Sequence, residues 1–226
     1  MKIALVYFEE KLPANREHHS VGYYMLEGWQ RFYKNSGTTA APCLLLDRKT
    51  PVPNFWEYDH VIVEDDTPAQ RKDVLNKVGW LKHQAYDLLG QCVVMDVDAL
   101  LKKSIDDLSS IQEPIAMSPD DGTYRDWHWA SDWPEAKNKY NAGVLYLNNP
   151  DIGNRFRAIW NERIKYLDVT YFDEIIFSAL LEEMNGKVLD RDYNTGWSGK
   201  DEDVRVLHFS GDRKKDLAAY LGIKFL

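Results

Sequence analysis

The chain has 226 residues, 44% hydrophobic and 28% charged, a balance that excludes a disordered chain. Its 28 Lys and Arg stand against 36 Asp and Glu, and this formal net charge of −8 disfavours nucleic acid as a partner, since non-specific binding needs a basic footprint. Two cysteines, Cys43 and Cys92, are too few for a disulfide framework or a four-thiolate zinc site; both lie in apolar runs and are expected as buried thiols in a reducing compartment. No run approaches the roughly 18 apolar residues of a membrane span, and Met1–Phe8 lacks the length and flanks of a signal peptide, so a cytoplasmic protein is expected.

Lys2–Phe8 is a buried strand by its unbroken apolar run. Ser20–Lys34 is predicted as a helix, with Val21, Tyr24, Met25, Gly28 and Phe32 near helical spacing. Cys43–Leu46 and His60–Glu64 are strands, separated by the Pro51-Val52-Pro53 break. The pattern predicts one helix over Gln70–Leu89, with Val74, Lys77, Val78, Leu81, Ala85 and Leu88 on one face and Gly90 as terminator. Cys92–Val97, Pro114–Met117 and Tyr140–Leu147 are further strands, Asp151–Tyr166 and Phe172–Met184 are helices, and Val204–Phe209 is the last strand. Alternating strands and helices imply an α/β fold with a mostly parallel sheet covered on both faces. The polar stretch at about 119–139, with Trp127, Trp129 and Trp133, is an excursion over one end of the sheet.

The segment Val93-Val94-Met95-Asp96-Val97-Asp98 carries the most chemistry. Side chains two apart on a strand share a face, so Asp96 and Asp98 are expected to converge at the strand's carboxyl end, where open α/β sheets bind ligands. Two hard oxygen donors there suit Mg²⁺ or Mn²⁺ and a phosphorylated ligand; the plainer alternative is a turn cap beside a solvated carboxylate. Far along the chain, Val206-Leu207-His208-Phe209-Ser210-Gly211-Asp212-Arg213-Lys214 joins a strand to a glycine turn and bases. His208 can add an imidazole nitrogen, Gly211 can let the backbone approach a phosphate, and Lys214 can neutralise it; a packed core histidine is the alternative.

Four blocks in order resemble the family 8 glycosyltransferases of the GT-A fold, the glycogenin and galactinol synthase type. They are Leu81–Leu108, with Lys82 and Val-Met-Asp96-Val97-Asp98; Tyr140-Asn141-Ala142-Gly143-Val144-Leu145; Phe172-Asp173-Glu174; and His208-Phe209-x-Gly211-x-x-Lys214. The resemblance covers roughly residues 1–215 and implies a single GT-A domain over 1–226, Rossmann-like, of the nucleotide-diphospho-sugar transferase kind. It implies a nucleotide-sugar donor, usually a UDP-sugar, with Mn²⁺ or Mg²⁺ held by Asp96, Asp98 and His208. Tyr7 and Phe8 would line the base. Lys82, Asp96, Val97, Gly211 and Lys214 would complete the donor contacts, and Asn141, Asp173 and Glu174 would face the transferred sugar. Glu174 stands where the family has Gln, and Lys215-Asp216 where it has Pro-Trp.

The chemistry fits those residue types. Glycosyl transfer leaves negative charge on the departing diphosphate, which a dication and a lysine stabilise. Asp173 is the candidate beside the anomeric carbon, although an acidic residue at a helix start is favourable with the helix dipole in any case. The family is retaining. Trp127, His128, Trp129 and Trp133 either stack on acceptor sugars or cover a sheet edge. The acceptor can be a saccharide, a protein, a lipid-linked sugar or a modified base. Two competing readings are a haloacid-dehalogenase-like phosphatase, with Asp96 as nucleophile beside Asp98, and a non-catalytic sugar-nucleotide-binding protein. The phosphatase motif normally ends the first strand, and here three strands precede it. A nucleotidyltransferase would need a glycine-rich basic loop after the first strand, where this chain has Glu9-Glu10-Lys11-Leu12.

Overall fold

A computed structural model describes residues 1–8, 21–67, 74–119, 140–163, 172–200, 202–210 and 213–222. The Trp-rich stretch, Gly211 and the Glu9–Leu12 segment lie outside the described residues. Among the described residues ten strands are formed: β1 Lys2–Val6, β2 Ala41–Leu46, β3 Asp59–Ile62, β4 Cys92–Met95, β5 Ala99–Leu101, β6 Ile115–Pro119, β7 Tyr140–Leu147, β8 Lys187–Val188, β9 Thr195–Gly196 and β10 Val206–His208. The α-helices are α1 Val21–Ser36, α2 Val74–Leu81, α3 Ala85–Leu89, α4 Ile152–Arg163, α5 Phe172–Glu183 and α6 Lys214–Leu221.

Seven strands make the central sheet, in the order β3-β2-β1-β4-β7-β6-β8. β1 pairs in parallel with β2 on one side and β4 on the other; β7 is antiparallel to both β4 and β6, and the other pairs are parallel. The unbroken apolar run of β1 has a direct cause in this arrangement. Ile3, Leu5 and Tyr7 enter the core on one face, while Ala4, Val6 and Phe8 enter the core on the other. A strand buried on both faces has no side left for polar residues. One core holds Trp80, Phe156, Trp160, Phe172 and Phe177 from α2, α4 and α5. The other holds Leu26 and Trp29 of α1, Leu217 and Leu221 of α6, and the three-stranded sheet β5-β10-β9. Gly28 lets α1 and α6 meet closely, because a Cβ there would lie 2.4 Å from Leu221. Cys43 and Cys92 are free and buried, and burial pushes the Cys92 thiol up to about 12. Among the described residues no helix is long and apolar enough to cross a membrane.

Three expectations need correction. The single helix over 70–89 is interrupted: α2 ends at Leu81, a 3-10 turn covers Lys82–Gln84, and α3 follows. The tightened turn buries three consecutive polar side chains, Lys82, His83 and Gln84, each of which has a protein acceptor. The apolar spacing on either side is unaffected, so periodicity does not reveal the break. The strand over Cys92–Val97 ends at Met95. Asp96–Asp98 forms a turn closed by Ala99 N–H donating to Asp96 C=O at 3.0 Å, and the chain re-enters sheet structure at β5. Asp96 and Asp98 therefore share a side through a turn, not through strand alternation. Finally, the sequence elements end with the strand at Val204–Phe209, whereas a glycine-terminated helix, α6, follows β10.

Candidate active site

The site is built where β4 ends beside the start of β7. Asp96 N–H donates to Gly143 C=O at 3.0 Å, which fixes the first carboxylate against β7. Asp98 C=O accepts from Phe209 N–H at 3.0 Å, which ties the second carboxylate to the end of β10. β10 runs antiparallel to β5 with His208 opposite Ala99, so the small sheet carries His208 to the turn that bears the two aspartates. His208 Nε2 lies 3.3 Å from Asp98 Oδ1 and 3.9 Å from Asp96 Oδ2. One ligand atom from each of Asp96, Asp98 and His208 falls within 4.8 Å of the others. Two carboxylates and an imidazole are a donor set that fits a divalent cation with positions left for ligand oxygens.

Cations surround this cluster. Lys214, at the start of α6, places Nζ 3.5 Å from Asp98 Oδ2. Burial alone would push the Asp98 carboxyl up, but the Lys214 charge and the hydrogen bond and charge of His208 hold it well below the usual carboxylate range. Burial likewise pushes His208 down, and Asp98, Asp96 and Glu174 more than reverse it. Glu174 is thus near enough to be felt at the imidazole.

Lys82 joins the metal-binding candidates to α5. Its side chain is almost wholly buried, with Nζ 2.8 Å from Asp96 Oδ1, 3.0 Å from Asp173 Oδ2 and 3.1 Å from Ala142 C=O. These acceptors match the ammonium's three protons. Burial disfavours the charge, yet Asp173 and Asp96 raise the lysine pKa well above its ordinary value. Asp173 is buried in the first turn of α5, and Gly79 makes room for it: a Cβ at Gly79 would lie 2.8 Å from Asp173 Cγ. Asn141 is buried beside this group; its Oδ1 accepts from Gly143 N–H at 2.8 Å and from Asn194 Nδ2 at 2.8 Å.

The remaining sequence candidates sit differently. The rings of Tyr7 and Phe8 are buried on opposite faces of the sheet. The Lys77 ammonium lies 4.1 Å from the centroid of the Phe8 ring and pairs with Asp47 at 2.5 Å and Asp65 at 2.9 Å. Val97 packs against the second core. Sequence reading missed Asp47, Asp65 and Lys77. Asp47 carried the signal that singled out Asp96, an aspartate directly after a buried apolar run. Asn194 was also missed, and no local pattern announces it.

No protein-family model matches the chain, and no curated protein sequence matches it. Solved structures do. The galactosyltransferase LgtC, in complex with donor and acceptor sugar analogs, superposes with a TM-score of 0.65 at 13% identity, covering 100% of this chain and 97% of that one. Mouse xyloside xylosyltransferase 1 gives 0.61 at 11% identity, covering 93% and 97%. The glycosyltransferase GlyE of Streptococcus pneumoniae TIGR4 gives 0.63 at 13% identity, covering 99% of this chain and 60% of its own. At these identities the likeness is one of fold, and the fold is that of the GT-A glycosyltransferases.

Proposed function

We propose that this chain is a divalent-metal-dependent glycosyltransferase that moves a sugar from a nucleotide-sugar, a UDP-sugar in the simplest reading, to an acceptor hydroxyl with retention. The carrying observation is the meeting of Asp96, Asp98 and His208 at the carboxyl end of β4, in a fold shared with glycosyltransferases. Asp96, Asp98 and His208 would hold Mn²⁺ or Mg²⁺, which when bound supplies positive charge to the diphosphate leaving group. Lys214 adds a second positive charge beside Asp98, and would help neutralise the diphosphate.

Lys82 holds Asp96 and Asp173 at a fixed separation, so the leaving-group side and the sugar side of the site are braced by one buried ammonium. For Lys82 to contact the donor directly, one of its three acceptors must be exchanged for a donor oxygen. Asp173 faces the sugar in this reading and steadies positive charge at the anomeric carbon, with Asn141 and Glu174 alongside. Tyr7 and Phe8, just after β1, together with Val97 and Gly211, would form the base and phosphate side, the two rings themselves lying on opposite faces of the sheet. The whole of 1–226 acts as one catalytic domain in the cytoplasm. The acceptor is a saccharide, a protein, a lipid-linked sugar or a modified base. A phosphatase that used Asp96 as nucleophile would give His208 and Lys214, which converge on Asp98, no task.

The test is a panel of nucleotide-sugars incubated with the protein and Mn²⁺, read by release of nucleoside diphosphate. UDP release from one sugar, abolished in Asp98→Asn with the fold intact, supports the proposal. Phosphate release from monoesters without any diphosphate release would replace it with the phosphatase.

A further inference from the structure

We propose that Asn194 is a positioning residue that holds the His208 ring with its proton on Nδ1 and its Nε2 turned to Asp96 and Asp98, and that locks this ring to Asn141. The inference rests on the metal-site reading above.

A chain of hydrogen bonds fixes each atom in turn. It starts at a group whose role is not in question: the backbone N–H of Gly143 can only donate. It meets Asn141 Oδ1 at 2.8 Å, which sets that side chain's orientation. The amide atom of Asn194 that lies 2.8 Å from Asn141 Oδ1 must then be a donor, Nδ2. The other end of the Asn194 amide is therefore the oxygen, and it faces His208 Nδ1 at 3.0 Å. An amide oxygen only accepts, so His208 Nδ1 carries a proton. Nε2 is the nitrogen that points to Asp98 Oδ1 at 3.3 Å; without a cation it donates to that carboxylate, and in the neutral ring that meets a cation the lone pair sits there. The opposite tautomer would set two lone pairs against each other across the Asn194 contact.

The surroundings hold the network still. Asn194 is only 5% exposed and sits between the 3-10 turn Arg191–Tyr193 and β9. β9 runs parallel to β10 with Gly196 opposite His208, and Trp197 N–H donates to His208 C=O at 2.8 Å. The ring of His208 lies over the backbone of Gly143, where a Cβ would come within 2.2 Å of Cε1. One face of the imidazole is thus set by the missing side chain of Gly143 and one edge by Asn194. A cation that displaces the Nε2 proton finds the ring already turned to it, and the same amide that arranges the ring also arranges Asn141. Such outer partners of metal-binding histidines fix tautomer and orientation.

The experiment titrates Mn²⁺ alone into the full chain by calorimetry, for wild type, Asn194→Leu and Asn194→Asp. Leucine keeps the volume without an acceptor, whereas aspartate keeps an oxygen for Nδ1–H. Asn194→Leu is expected to weaken Mn²⁺ binding by about 10–100-fold, the usual cost of losing such a partner, and Asn194→Asp less, since it keeps the acceptor for Nδ1–H but loses the donor to Asn141 Oδ1. In parallel, nitrogen NMR of histidine-labelled protein with Mg²⁺ is expected to show His208 protonated at Nδ1 in wild type. A leucine variant that binds Mn²⁺ as wild type does, or a wild-type ring that lacks the Nδ1 proton, overturns the role of Asn194. The wild-type spectrum decides the tautomer even if the leucine variant does not fold. Wild type that binds no Mn²⁺ sinks the metal reading itself, a result distinct from equal binding by wild type and variant.

Discussion

Replacing Lys82 with methionine isolates the energetics of the site from its chemistry. Methionine fills most of the lysine's volume and removes the charge that Asp96 and Asp173 share. The two carboxylate oxygens that touch Nζ lie 2.8 and 3.0 Å from it, so they are no more than about 6 Å apart. At that separation and an effective dielectric of about 20, two unit charges repel by about 3 kcal/mol. The variant also leaves the Ala142 carbonyl without the ammonium, and removing one member of a buried ionic group typically costs about 3–5 kcal/mol. Lys82→Met is expected to lose stability on that scale at neutral pH, read by equilibrium urea unfolding at unchanged slope. The double variant Lys82→Met/Asp173→Asn should recover about 2–3 kcal/mol of the loss, since it removes the repulsion. A Lys82→Met protein within 1 kcal/mol of wild type, or a double variant no better than the single, would show that Lys82 does not brace the two carboxylates.

Two glycines test the same geometry without removing a charge. Gly143→Ala should displace the His208 ring and weaken Mn²⁺ binding, since the new Cβ falls 2.2 Å from Cε1 and 2.5 Å from Nδ1; unchanged affinity by calorimetry would mean that the ring is not seated on that glycine. In Gly79→Ala the helical gain of roughly 0.5–1 kcal/mol is set against a Cβ 2.8 Å from Asp173 Cγ, so turnover should fall while the melting temperature stays near wild type. His83 supplies a pH test: burial, aided by the Arg157 charge, pushes it down to about 4 against an unfolded value of 6.5, and its Nε2 has no hydrogen-bond partner among the described residues. A lowered folded pKa gives stability that is complete above pH 6.5 and is lost as pH falls through 4, by about 3 kcal/mol in all. His83→Phe, stacked like the native ring on Phe156, should flatten that acid limb in urea titrations at a series of pH values.

What the sequence reveals here follows from which interactions leave a local pattern. β1 is legible because both of its faces are buried, so every position from Ile3 to Phe8 is apolar. The acidic pair is legible because carboxylates directly after an apolar run are conspicuous, yet its geometry is not, since a turn and a strand place residues i and i+2 on one side equally well. The break at Lys82 is hidden for a related reason: a 3-10 turn inside a helix leaves the apolar spacing before and after it almost unchanged. β9 is two residues long and owes its existence to its neighbour β10, so it has no period to detect. Asn194 acts through contacts with residues 53 and 14 positions away, and an isolated asparagine in a polar stretch carries no trace of such partners.

The strand that unites these observations is β7, and the reason lies in an irregularity of its ladder. β6 pairs Met117 with Leu145 and then Ser118 with Asn141, so the register shifts between Met117 and Ser118 and gives Ala142, Gly143 and Val144 no partner on β6. On the other side, β4 stops at Met95 opposite Val144. A regular strand spends its N–H and C=O groups on its neighbours, whereas here the Ala142 C=O and the Gly143 N–H are turned to side chains of the site. The Ala142 carbonyl accepts from Lys82, the Gly143 carbonyl from the Asp96 N–H, and the Gly143 N–H orients Asn141. One irregular step in the sheet thus anchors the lysine, the first carboxylate and the amide that reaches His208 through Asn194. Side chains on α-helices and loops are held by packing that can shift; backbone groups of a central strand move only with the sheet. Placing the site's fixed points on β7 therefore keeps the spacing of Asp96, His208 and Asp173 set before any ligand arrives, which is what catalysis by electrostatic preorganisation requires.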